Sequence, residues 1–91
     1  MSESAIQKGI INYLKGLPNT WAVKIVTSNK NGTPDILACV EGQFVALEVK
    51  TASGNPSPIQ NFQLSQISGA GGVSAIVRSI DDVKKVLASV R

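Results

Sequence analysis

A chain of 91 residues fits one domain, expected to span 1–91. A domain this small buries only about 60% of the surface its unfolded chain exposes, which leaves a marginal core and makes self-association worthwhile. Hydrophobic residues at 43% and charged residues at 16% make a folding composition rather than a disordered one. The net charge of +3 is compatible with a polyanionic partner without singling one out.

The single cysteine, Cys39, cannot form an intrachain disulfide, and the absence of histidine excludes a structural zinc site, so any metal must be held by oxygen. No run approaches the ~20 apolar residues that span a bilayer, and the opening MSESAIQKG lacks the basic start and apolar block of a secretory signal. A cytoplasmic protein is expected.

Taken in chain order, Ile6, Ile10, Tyr13, Leu14 and Leu17 form one stripe of an amphipathic helix over 4–16, closed by Pro18 and Asn19. TWAVKIVTS (20–28) is β-rich and predicts a strand, followed by the polar loop NKNGT. PDILACV and QFVALEVKT predict two more strands. After the loop ASGNP, the string SPIQ predicts a helix start, with Ser57 as N-cap, Pro58 at the first helical position and Gln60 closing a capping box. That helix should turn Ile59, Phe62 and Ile67 inward and end in GAGG. VSAIVR predicts a short strand. SIDD again resembles a capping box, opening a last helix with Ile80, Val83, Leu87 and Val90 on one face. The predicted order is α-β-β-β-α-β-α, a mixed α/β fold.

The chemistry concentrates in the hairpin. If Glu41 and Gly42 form a two-residue turn, Val40 pairs with Gln43 and opposed residues have numbers summing to 83. Asp35 then faces Glu48. Opposed like charges about 5 Å apart destabilise a sheet, so something positive belongs between them. Lys50, two residues beyond Glu48, turns to the same face. A divalent cation bound by both carboxylates removes the repulsion and sets the lysine beside what the metal activates. Magnesium suits such a site, because it takes oxygen ligands and is usually bound by one or two carboxylates plus substrate phosphate. The competing reading is a solvated face with a cross-strand salt bridge.

G-T-P-D, twelve residues, then E-V-K resembles the PD-(D/E)xK nuclease signature in Pro34, Asp35, Glu48, Val49 and Lys50. A glutamate before the first helix, then G-x-P-D, E-V-K-T, S-P-x-Q and G-x-V-x-x-x-x-R-S, resembles the virus-type replication-repair nuclease (VRR-NUC) domain in its small standalone form. The resemblance implies a restriction-endonuclease-like core with magnesium or manganese dependence. It also implies a homodimer acting as an endonuclease on branched DNA such as four-way (Holliday) junctions. It adds Glu3 as a helix-borne acid and Gln60 as an active-site amide to Asp35, Glu48 and Lys50. The metal ligands it implies are Glu3, Asp35, Glu48 and the Val49 carbonyl. Each has a plainer reading: Glu3 as an exposed acid favoured by the helix dipole, or outside a helix capped by Ser4, and Gln60 as the capping-box partner alone.

Lys24, Lys30 and Arg78 are expected around the site, each readable as a solvated charge and as a group placed to contact DNA phosphates, and Trp21 and Phe62 are expected in the core. A non-catalytic nucleic-acid-binding or assembly module that kept the fold is the alternative function.

Overall fold

In the computed structural model, which describes residues 1–90, three helices flank one four-stranded sheet. The elements are α1 (Glu3–Lys15), β1 (Thr20–Lys24), β2 (Ile36–Val40), β3 (Gln43–Val49), α2 (Pro58–Gly69), β4 (Val73–Val77) and α3 (Ile80–Ala88). The sheet order is β1-β2-β3-β4, antiparallel across the first two pairs and parallel between β3 and β4. The predicted element order and α/β class are those observed.

Glu41 (φ 51°) and Gly42 (φ 83°) both lie in the left-handed region. Two such residues make the tight turn whose twist matches a hairpin, and they fix the register. The five pairs from Val40↔Gln43 to Ile36↔Leu47 follow the predicted sum of 83. Continued one step, this register sets Asp35 opposite Glu48. The ladder stops there, since Pro34 beyond it has no N–H to give, and Val49 N–H donates to Asp35 Oδ2 at 2.8 Å.

Alternation along the strands divides the sheet into two faces. Ile36, Ala38, Val40, Val45, Leu47, Val49 and Val77 face α1 and α3, which contribute Ile10, Leu14 and Val83 to the same core. α2 covers the opposite face only along β3 and β4, with Leu64 buried and Ser74 Oγ donating to Leu64 O at 2.7 Å.

The covering is one-sided, and it corrects three expectations. Trp21 and Phe62 are 65% and 53% exposed rather than core residues, and Ile59 is also exposed. Trp21, Cys39 and Phe44 lie in one row across β1, β2 and β3, on the face that α2 leaves open. In α3, Val83 is buried but Ile80 is exposed at the helix start.

Helix starts follow the side-chain caps. Ser2, not Ser4, caps α1, its Oγ accepting from Ala5 N–H at 3.1 Å, so Glu3 is the first helical residue. Ser57 and Gln60 form the predicted capping box of α2. At α3 the box is half-formed: Ser79 Oγ accepts from Asp82 N–H, while Asp82 Oδ2 accepts from Arg78 N–H instead of the cap residue's own. The strand predicted over 20–28 ends at Lys24, after which Ile25 N–H still donates to Asp35 O at 2.8 Å.

Candidate active site

The end of the central hairpin, the first turn of α1 and the first turn of α2 meet at one point. Glu3, Asp35 and Glu48 each offer a carboxylate oxygen there, and the three oxygens lie within 4.8 Å of one another. Each arrives by a different local rule. Asp35 and Glu48 come from the hairpin register, Glu3 from the Ser2 cap that starts α1 one residue before it, and Gln60 from the capping box of α2.

Glu48 is the centre of the group. It is 1% exposed, although its side chain is a carboxylate. Its two oxygens differ in surroundings. Oε2 accepts from Gln60 Nε2 at 3.3 Å and lies 3.7 Å from Lys50 Nζ. Oε1 is buried without a hydrogen-bond partner. Burial in a low dielectric disfavours the charged form and raises the Glu48 pKa from the usual 4.5 to about 8. The neighbouring Asp35 carboxyl and the charges of Asp35 and Glu3 push the same way, and Lys50 opposes them.

Three crowded carboxylates, one holding an unpartnered buried oxygen, form an oxygen-only donor set that fits a hard divalent cation. A solvated salt-bridged face, the competing reading of the sequence, does not bury its acid. The ion pair with Lys50 exists, but beside a glutamate sealed from water and pressed against two further acids.

Gln60 does two things at once. Its Oε1 accepts the Ser57 N–H at 2.9 Å, closing the capping box, and this turns its NH₂ toward Glu48. The amide orientation is therefore set by the helix start. The capping partner of α2 is thus also a hydrogen-bonding neighbour of Glu48.

Among the other predicted residues, Lys24 at the end of β1 and Lys30 in the following loop are exposed. Arg78 is half-buried, and its Nη1 donates to Thr51 O and Gly54 O at 2.5 and 2.6 Å. Val49 ends β3, and its N–H is the donor to Asp35.

Gly32 carries a role that the sequence reading left unassigned. At φ +76° it packs so tightly on α2 that a Cβ there would stand 2.9 Å from the Ile59 carbonyl carbon and oxygen. Gln63 Nε2 donates to Asn31 O at 3.1 Å beside it. Together they dock the loop before Asp35 onto the helix that carries Gln60. A glycine three residues before an acid in G-x-P-D was the available signal.

The class defined by these observations is a mixed α/β domain with a group of three carboxylates at the end of its central hairpin. No protein-family model matches the chain, and no curated protein matches it in sequence. Solved structures share the fold, among them two VRR_NUC domains. One, described as "VRR_NUC domain", superposes with a TM-score of 0.80 at 23% identity, covering 98% of this chain and 97% of that one. The other, a "VRR_NUC domain protein", gives 0.75 at 16% identity, covering 97% of this chain and 86% of its own. The chain therefore has the fold of a VRR_NUC domain over nearly its whole length. Among the described residues, no helix is long and apolar enough to cross a membrane.

Proposed function

We propose that this protein is a metal-dependent endonuclease that hydrolyses phosphodiester bonds in DNA, with branched DNA such as four-way junctions as its substrate. The observation that carries the reading is the unpartnered Oε1 of Glu48, buried within a group of three carboxylates beside Lys50. A polar atom buried without a partner is costly, and a carboxylate more so. An arrangement that keeps one next to two like charges makes sense when a cation completes it.

Glu3, Asp35 and Glu48 would hold Mg²⁺ or Mn²⁺, with the Val49 carbonyl as a further oxygen at the end of β3. Such an ion supplies Lewis-acid chemistry toward a phosphodiester and acidifies water. The chain's own groups do the rest. Lys50 places an ammonium beside Glu48, where it can donate to a phosphate oxygen as negative charge develops there. Gln60 holds the Glu48 carboxylate from the other side with an amide that its capping bond prevents from flipping. Lys24 and Lys30 contribute exposed positive charge for backbone phosphates.

Two copies related by a dyad are needed to cut a symmetric junction on two strands, and two-fold association is the commonest way to supply them. The small core and the open apolar face at Trp21, Phe44 and Phe62 support a homodimer. The test is incubation of end-labelled four-way junction and linear duplex with Mg²⁺, Mn²⁺ or EDTA. Metal-dependent cleavage of the junction is expected. DNA binding without cleavage of either substrate at any metal concentration would overturn the reading in favour of a non-catalytic binding module.

A further inference from the structure

The segment between β3 and α2 joins the strand that carries Glu48 to the helix that carries Gln60. Lys50 begins it and Ser57 ends it. Between them the chain has no regular structure, and Gly54 and Pro56 interrupt it. Its internal support is slight: Gly54 N–H donates to Thr51 O at 3.2 Å, closing one turn. Among the described residues, the hydrogen bonds from residues 51–56 to another part of the fold all run to Arg78.

We propose that Arg78 is a positioning residue, whose guanidinium straps this segment to the end of β4 and thereby fixes Lys50 and the start of α2 against Glu48. The proposal rests on the nuclease reading for its catalytic consequence but not for its structural one. Nη1 donates to two carbonyls, Thr51 O at 2.5 Å and Gly54 O at 2.6 Å. Bonds from a charged donor are shorter and stronger than neutral ones, and a planar guanidinium holds them at a fixed angle. The carbonyls belong to the two ends of the turn, so one nitrogen closes it from outside.

The strap is itself anchored. Arg78 N–H donates to Asp82 Oδ2 at 2.9 Å, and Asp82 N–H donates to the Ser79 cap at 3.1 Å, so the first turn of α3 holds the arginine backbone. One residue earlier, Val77 O accepts Lys50 N–H at 3.1 Å. Lys50 is therefore held by its own backbone bond to β4, and the residues that follow it by Arg78. Crowding at the turn adds to this, because a Cβ on Gly54 would stand 3.2 Å from Thr51 Oγ1 and 3.7 Å from Lys50 Cβ. Misplacing a catalytic group by about 1 Å can cost on the order of 10²-fold in rate.

This role differs from a contact to DNA phosphate, and the difference is measurable. A phosphate contact acts on binding and on its salt dependence. A strap acts on turnover and on local order. Arg78→Ala and Arg78→Lys should be compared with wild type in steady-state cleavage at several salt concentrations. Amide hydrogen exchange should be followed in EDTA, without DNA. In Arg78→Ala, kcat should fall on the order of 10-fold to 10²-fold with KM within about twofold and the salt slope unchanged. Exchange should accelerate in 50–57 and leave the β3 and β4 amides protected. Millimolar guanidinium should restore part of kcat, and Arg78→Lys should retain an intermediate rate, because an ammonium offers no planar fork.

A raised KM with a shallower salt slope and unchanged exchange would overturn the proposal and make Arg78 a phosphate contact. Uniformly faster exchange throughout the sheet would overturn it as well, making Arg78 a general stabiliser. If wild type cuts no DNA, the functional reading falls, while the exchange measurement still decides the strap.

Discussion

Replacing Glu48 by glutamine should stabilise the metal-free protein at alkaline pH, although it removes a group at the centre of the site. The folded state raises the Glu48 pKa from 4.5 to about 8. Below pH 4.5 the carboxyl is protonated in both folded and unfolded chains and contributes no penalty. Between 4.5 and 8 the folded chain holds a proton that the unfolded chain has released, so stability falls as pH rises. Above 8 the folded chain carries a buried carboxylate at full penalty. Each unit corresponds to about 1.36 kcal/mol, so the loss is on the order of 5 kcal/mol at most. Glutamine has nearly the same shape, but it never ionises. The assay is calorimetric melting of both proteins in EDTA at pH 5, 6.5 and 8.5. The difference between the two cancels the titration of groups remote from Glu48. Glu48→Gln should gain on wild type with rising pH, and even half the full effect is about 10 °C in Tm. Excess Mg²⁺ should reverse the order, since only wild type keeps the full ligand set. A variant that melts below wild type at pH 8.5 in EDTA would refute the reasoning and make Glu48 a partner in a structural salt bridge.

Three further outcomes are expected. Mg²⁺ binding near pH 7 should release about one proton, seen by calorimetry in buffers of different ionisation enthalpy, because the cation must displace the proton on Glu48. An apparent affinity independent of pH between 6 and 7.5 would contradict this. Lys50→Ala should lower kcat by about 10²-fold or more with a smaller effect on metal affinity, measured by single-turnover cleavage and metal titration, and unchanged turnover would remove the ammonium from the mechanism. Gly32→Ala should destabilise the fold by about 1–3 kcal/mol in urea titration, since it adds a Cβ at φ +76° against the Ile59 carbonyl; a variant as stable as wild type would mean that the loop shifts freely on α2.

The parts of this protein legible in its sequence are those fixed by short-range rules. The register that opposes Asp35 to Glu48 follows from one two-residue turn, and a glycine in its second position was enough to place five cross-strand pairs. The capping box of α2 was legible for the same reason, since Ser57 and Gln60 satisfy each other within one turn. What could not be read depends on which surfaces meet. An aromatic residue in a β-rich run or an amphipathic helix is ordinarily buried, yet Trp21 and Phe62 are exposed because α2 covers only the β3–β4 half of its face. The helix expected from Ser4 starts one residue earlier, at Glu3, and only the tertiary structure shows that the Ser2 cap serves the site by bringing Glu3 into the first turn.

Arg78 presents the same contrast. Its charge and its place after a strand suggested a phosphate contact or a solvated charge, and its Nη1 donates to carbonyls 24 and 27 residues away in sequence. Such a bond has no local signature. The candidate site is thus assembled from both kinds of constraint. Local rules orient each functional side chain on its own element, and a few long-range contacts, from Gly32 onto α2 and from Arg78 onto the β3–α2 segment, decide whether those elements converge. Substitutions at the carboxylates should therefore change chemistry with the fold retained. Substitutions at Gly32 or Arg78 should leave every functional group present but misplaced, which separates the two classes by whether metal-free local order changes along with rate.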